Sequence, residues 1–315
     1  MIAVATPQRD YISYSAVRTF QGCPLKYRFR YIDGLAEECV SSSLVFGSAI
    51  HAAVEFYFTQ QLAGEVEPSL DELLDVYQQS WRDRAEQEVR FNKSETADSL
   101  HSLADRMLKA FLASDLTQQD GTIIGVEEEL RGELSADLPD LLGRVDLLLE
   151  TDDSVIVQDF KTSRSAWNEY QAEDQSEQLL LYGDLVRRLV PGKKVRLQFA
   201  VITKAKSPKV QLLEASFDES KLDRTKRVFE SVWSAISAGH FYPSPSVRSV
   251  GAILTKGAYM TKPIKTAKHK LNSAHVHGAL IIAGFLGLVT GSWLIFALAA
   301  GALVFTSVQD GSIRL

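Results

Sequence analysis

Asp159 and Lys161, in the stretch VIVQDFKTSR (155–164), place opposite charges two positions apart at the end of an apolar run. A strand sends alternate side chains to opposite faces, so Val155, Val157, Asp159 and Lys161 share one face and bring both charges to the edge of an apolar surface. An Asp-x-Lys alone is weak evidence, and its neighbours decide what it means. Asp146 lies just upstream in GRVDLLLE (143–150), a strand that a turn at Asp152-Asp153 folds back beside the 154–160 run. Asp146 and Asp159 then converge on adjacent strands. Two carboxylates with no thiolate beside them make a hard oxygen site, suited to Mg²⁺ or Mn²⁺ rather than structural zinc. Such an ion polarises a phosphoryl group and acidifies a bound water, and a neighbouring lysine can orient or deprotonate that water or stabilise developing charge. The bland alternative makes Asp146 a strand end and Lys161 its surface ion-pair partner, worth little energetically.

The surrounding elements must hold these groups. Residues 13–31 suggest a helix interrupted at Gly22-Cys23-Pro24, followed by Lys26, Arg28 and Arg30 interleaved with Tyr27, Phe29 and Tyr31. That interleaving suits either a grip on a phosphate backbone or a solvated face with its aromatics in the core. Apolar residues recur at three and four through 44–61, 70–90 and 97–112, predicting three helices. Strands are expected at 122–134, 143–150, 154–160, 194–203 and 209–217, with helices over about 168–189 and 218–238. The order is that of an α/β sheet with a helical insertion, about 60–115, near its front. On a helix over 168–189, Gln171, Gln175, Gln178 and Tyr182 share a face and form a polar stripe.

At 315 residues, with 45% hydrophobic and 23% charged side chains, the chain has enough apolar content for a substantial core. A net charge of -6 argues against nonspecific coating of nucleic acid but permits a local basic groove. Cys23 and Cys39 are too few for a disulfide framework and suit a reducing cytosol. The first residues show no basic region leading into an apolar run, so no secretory signal is expected. From Gly278 to Val308 no residue is charged, and Lys256, Lys262, Lys265, Lys268 and Lys270 precede that run. This predicts a transmembrane helix or hairpin over 276–308 behind a basic linker, 246–275, anchoring a cytoplasmic domain (1–245) to the membrane.

Taken in order, GSAIH (47–51), GRVD (143–146), DFKT (159–162) and QLLLY (178–182), with the opening SYSAVRTFQGCPLKYRFRY, resemble the RecB-like exonuclease branch of the PD-(D/E)XK nuclease superfamily. The resemblance spans about 13–245. It implies a restriction-endonuclease-like fold, a mixed central sheet flanked by helices, and a DNA nuclease, exonucleolytic by the branch, that uses Mg²⁺ or Mn²⁺. It also implies that His51, Asp146, Asp159 and the Phe160 carbonyl hold the metal, that Lys161 is the catalytic lysine, and that Gln178 and Tyr182 contact DNA; the basic–aromatic interleaving adds Lys26 and Arg28 as candidate DNA contacts. DNA repair, recombination, and phage or defence DNA processing are the settings such a nuclease serves, with a helicase or recombination partner left open. Some relatives hold an iron–sulfur cluster on one N-terminal and three C-terminal cysteines; with no cysteine after Cys39, none is expected here. The alternative is a membrane-tethered nucleic-acid-binding module with a silent nuclease site. Glu55, one turn after His51, and one of Glu127, Glu128 and Glu129 are further candidates to face the site.

Overall fold

A computed structural model describes residues 9–84 and 88–244. Its centre is a six-stranded mixed sheet in which β5 (Asp140–Glu150) pairs antiparallel with β4 (Thr122–Gly132) on one side. On its other side, β5 pairs parallel at its start with β1 (Tyr11–Ile12) and antiparallel at its end with β6 (Ser154–Ser163). β6 continues parallel to β7 (Lys194–Thr203), and β8 (Val210–Ala215) closes the edge antiparallel to β7. A parallel pair needs a crossover. Here α6 (Glu169–Asp174) and α7 (Glu177–Leu189) supply it between β6 and β7.

Both faces of the sheet are covered, which explains why β6 reads as a continuous apolar run. Val155 and Val157 of β6, with Leu197, Phe199 and Val201 of β7, pack against α1 (Tyr14–Gly22), α7 and α8 (Glu219–Ser237). Ile156 and Phe160, with Ala200 and Ile202, pack instead against α3 (Ser42–Leu62), α4 (Leu70–Arg84) and α5 (Ala97–Leu112). The period-two alternation thus separates two cores. α3 starts where the Ser41 hydroxyl accepts from Leu44 N at 3.2 Å, and it buries Val45, Phe46, Ala49, Ile50, Ala53, Val54, Tyr57 and Phe58. At α8, the Asp218 carboxylate accepts from Ser220 N and Lys221 N and so caps the helix.

The expected strands and the helices at the front of the chain are found with small shifts of boundary, and several features differ. The helix expected over 168–189 is broken: Gln175 ends α6 and Ser176 precedes α7, so the four-residue polar stripe is divided between two helices. The helix expected over 70–90 gives way to β3 (Glu88–Arg90), which pairs parallel with β2 (Cys39–Ser41) in a small second sheet. After Pro24 the chain forms a short helix α2 (Pro24–Tyr27) and one π-helical turn, Arg28–Ile32. The expectation of a C-terminal transmembrane segment, and of a membrane location, is corrected. Among the described residues no helix is long and apolar enough to cross a membrane, and the segments 246–275 and 276–308 lie outside them.

Phe111 of α5 is fully buried between Tyr57 and Phe58, with ring centroids 5.1 and 5.9 Å away. Truncating a core phenylalanine leaves a cavity and costs about 3–5 kcal/mol. Phe111→Ala is expected to lower stability by that amount in urea denaturation; a loss under about 1 kcal/mol would show that the α3–α5 core is not tightly packed.

Candidate active site

The ladder between β5 and β6 runs through Leu149↔Ile156, Leu148↔Val157 and Leu147↔Gln158, and stops. Continued in that register, the next pair sets Asp146 opposite Asp159. Directly opposed like charges destabilise an antiparallel pair. The strands separate here, and the Phe160 amide donates instead to Asp146 Oδ2 at 2.6 Å. One residue on, Lys161 Nζ lies 2.5 Å from Asp159 Oδ2. By the alternation that puts Val155 and Val157 in the α7-side core, Asp159 and Lys161 lie on that same face. His51 arrives on α3 from the other layer, its ring edge-on to Phe160 with centroids 6.3 Å apart.

Burial and mutual charge dominate the electrostatics. The Asp146 carboxyl is pushed well above the usual carboxylate range by burial and by the Asp159 charge, against the opposing pull of the Phe160 amide and Lys161. Burial works against the Lys161 cation, but the Asp159 carboxylate, in contact, and Asp146 beyond it outweigh that penalty and raise its pKa. His51 is held down at about 4, by burial first and then by Lys161 and Lys204, with Asp159 opposing. It is therefore a neutral imidazole near pH 7, with a free lone pair. Asp159 is 5% exposed, and its Oδ2 has the ion-pair contact but no partner in hydrogen-bonding geometry.

Glu127 stands across β5 from Asp146, between the pairs Val126↔Leu147 and Glu128↔Val145. Its φ is +51°, in the left-handed region that side chains other than glycine seldom occupy. The two strands switch faces together at this point. Val145 belongs to the α7-side core and Leu147 to the α3-side core, while Leu130 and Val126 on β4 divide the same way. Residues two apart in a regular strand share a face, so the switch requires a distortion at Asp146 and Glu127. Glu127 pairs with Arg144 at 3.3 Å and adds to the rise in the pKa values of both Asp146 and Glu55. Within the Glu-Glu-Glu run, Glu127 therefore faces the site. Its neighbours on the strand, Glu128 and Glu129, are exposed.

On α7, Gln178 Nε2 donates to the Tyr182 hydroxyl at 3.3 Å. Burial pushes the Tyr182 phenol up to about 12, and the charges of Asp159 and Asp146 add to the rise. The ring lies against Gly143: a Cβ there would come within 2.4 Å of Tyr182 Cε1. Gly143 is the first residue of GRVD, and its missing side chain sets how closely α7 approaches β5. Lys26 and Arg28 are engaged elsewhere, with Glu37 at 3.0 Å and Asp33 at 3.3 Å. The structure thus brings together His51, Asp146, Asp159, Phe160, Lys161, Gln178 and Tyr182, and leaves Lys26 and Arg28 in local ion pairs. Sequence reasoning missed Arg144 and the role of Gly143; the glycine and arginine opening GRVD were the available signal. Among the described residues no group of three or more His, Cys, Asp or Glu side chains is arranged to hold a metal ion.

The sequence matches the PD-(D/E)XK nuclease superfamily over residues 11–249. The chain belongs to this superfamily. No curated protein matches it. Among solved structures, a "putative exonuclease" from Eubacterium rectale shares 15% identity at a TM-score of 0.52, covering 81% of this chain and 91% of that one. This likeness shows the fold. The structure of SSO0001, also 15% identical and covering 70% and 84% of the two chains, superposes at a TM-score of only 0.27 and carries no argument.

Two outcomes follow for this PD-(D/E)XK chain. Gly143→Ala forces Tyr182 away from β5 and is expected to cost about 1–3 kcal/mol of stability, read by urea denaturation; full retention would mean that the ring shifts freely. For His51, the folded pKa of about 4 lies below the ordinary 6.5, so the unfolded chain takes up the proton first and stability falls as pH drops from 6.5 towards 4. The wild type should lose stability more steeply over that range than His51→Gln. Parallel pH profiles would place the imidazole in water.

Proposed function

We propose that this chain is a divalent-metal-dependent deoxyribonuclease that hydrolyses phosphodiester bonds where β5 and β6 separate. The observation that carries the reading is the meeting of two carboxylates just past the end of the ladder, Asp146 held by the Phe160 amide and Asp159 in contact with Lys161. A buried carboxylate, Asp159, and a half-buried one, Asp146, near enough to act on each other need positive charge. The donor types suit a hard cation, although His51, Asp146 and Asp159 do not stand as a preformed metal cluster: Asp159 Oδ2 is buried without a hydrogen bond, and the neutral His51 imidazole can add a lone pair. Asp146, Asp159, His51 and the Phe160 carbonyl would hold Mg²⁺ or Mn²⁺. When bound, the ion would supply Lewis-acid polarisation of the phosphate and acidification of a water.

The protein groups do the rest. A water oxygen attacks phosphorus in line, the ester P–O bond opposite it breaks, and the leaving oxygen takes up a proton as the attacking water loses one. Lys161, held cationic by its two carboxylates, donates hydrogen bonds to the water and to the charge growing on the phosphoryl oxygens. That makes it an electrostatic stabiliser rather than a base. Gln178 and Tyr182 position the substrate strand beside the carboxylates. Lys26 and Arg28 lie farther out and would have to exchange Glu37 and Asp33 for phosphates to contribute. Exonucleolytic action is the reading supported by the motif set and by the name given to the Eubacterium rectale protein.

The test compares linear and circular, single- and double-stranded DNA with Mg²⁺, Mn²⁺ or EDTA. Cleavage should require the metal, and Lys161→Ala or Asp159→Asn should lower kcat by about 10²-fold or more. Loss of linear DNA with circles spared marks an exonuclease. Equal cleavage by wild type and Lys161→Ala would overturn the assignment, and binding without cleavage would leave a nucleic-acid-binding module.

A further inference from the structure

Beyond the carboxylates, β6 ends at Ser163, with Arg164 next in the chain, and the Ser163 carbonyl accepts from Lys204 N at 2.6 Å. Here the ends of β6 and β7 meet the first turn of α3 and the start of α5 around a groove of about 760 Å³. Arg106, Arg164, Lys204 and Lys206 line it together with Ser43 and one carboxylate, Glu95. α3 lies close against β6 at this point, since a Cβ on Gly47 would be 3.3 Å from Thr162 Oγ1.

The charges in the groove are unbalanced. None of these four cations forms a salt bridge among the described residues, although the chain as a whole is acidic at -6. Glu95 is committed to the Ser42 hydroxyl at 2.6 Å and reaches Arg164 and Lys204 only through space. Lys204 is half-buried above the Phe46 ring, 5.5 Å from its centroid. Burial, and then the Arg164 charge, lower its pKa. Like charges gathered in a concave, partly desolvated site repel one another and raise the local potential for an anion. The N-terminal end of the α3 dipole, where Ser43 sits, adds to it.

We infer that this groove binds phosphates of the nucleic-acid strand on one side of the scissile bond, through Arg164 and Lys204 with Arg106 and Lys206 beside them. The inference rests on the nuclease reading for its substrate. Lys161, on the α7-side face of β6, and Arg164, in the groove on the α3–α5 side, are three residues apart, roughly 10 Å along the backbone, so a bound strand would pass round the end of β6. At about 3.4 Å of rise per stacked nucleotide, a strand with its scissile phosphate at Asp159 and Lys161 reaches the groove within a few nucleotides. A terminal phosphate and an internal one offer the same chemistry to these cations.

The experiment measures binding of the full chain to a fluorescein-labelled single-stranded oligonucleotide in EDTA, across a salt series. The oligonucleotide is prepared with a 5′-phosphate, a 3′-phosphate or neither. Arg164→Ala/Lys204→Ala should weaken binding tenfold or more and lower the slope of log K against log salt by about 1.4, two phosphates at roughly 0.7 each. Arg164→Lys/Lys204→Arg should keep wild-type binding, which separates charge from folding. A larger loss with one phosphorylated end assigns the groove to a terminal phosphate, and equal loss on all three assigns it to the backbone. Affinity and salt slope unchanged within twofold would overturn the inference. An equal loss in Arg227→Ala, on the exposed side of α8, would do the same by showing only general surface charge. Wild-type binding that depends on the groove, with no cleavage in Mn²⁺, would sink the nuclease reading and leave this one standing.

Discussion

Like charges do not sit opposite each other in an antiparallel ladder without a third group between them, and this fold is arranged around that constraint. Asp146 and Asp159 would be the fifth pair of the β5–β6 ladder. The ladder instead ends, and the freed Phe160 amide turns to the Asp146 carboxylate. The opening so created admits Lys161 from one strand, His51 from α3 and Tyr182 from α7. A regular sheet would have neutralised those backbone groups against each other and left no room for a substrate.

Holding such an opening requires support on both faces. The α7-side and α3-side cores clamp β6 and β7 through Val155, Val157, Leu197 and Phe199 on one face and Ile156, Phe160, Ala200 and Ile202 on the other. Phe160 serves both purposes. Its ring stacks on Phe58 in the core while its amide faces the Asp146 carboxylate. The cost is concentrated beside the opening, where Glu127 adopts a left-handed backbone opposite Asp146 and both strands change face. Unfavourable conformations of this kind persist where surrounding packing over-determines them.

The local arrangement was legible in the sequence because its period is short. Alternation put Asp159 and Lys161 on one face, the Asp152-Asp153 turn brought Asp146 alongside, and five motifs in order carried the superfamily. The polar stripe from Gln171 to Tyr182 is not one helix, although the residue types at Gln175 and Ser176 do not by themselves break a helix; the Ser176 hydroxyl's bond to the Glu173 carbonyl and the bonds of Lys221 to that carbonyl and to the Ser176 hydroxyl hold the break. Lys26 and Arg28 read as candidate DNA contacts because nothing local in the sequence shows that the fold sets Glu37 beside Lys26 and Asp33, at the end of the π-helical turn, beside Arg28. The apolar run after Gly278 was read by length and lack of charge alone, and no helix among the described residues is suited to span a membrane.

By itself, the sequence determined the residue types, the strand and helix periods, and hence which side chains share a face. Those are local properties, set by two or four neighbouring positions. Tertiary structure alone decided where the β5–β6 ladder stops, that Glu127 rather than Glu128 or Glu129 turns towards Asp146, and that Arg106, Arg164, Lys204 and Lys206 meet in one groove. Each of these depends on the approach of segments distant in the chain, where packing and the repulsion of like charges, rather than periodicity, select the arrangement.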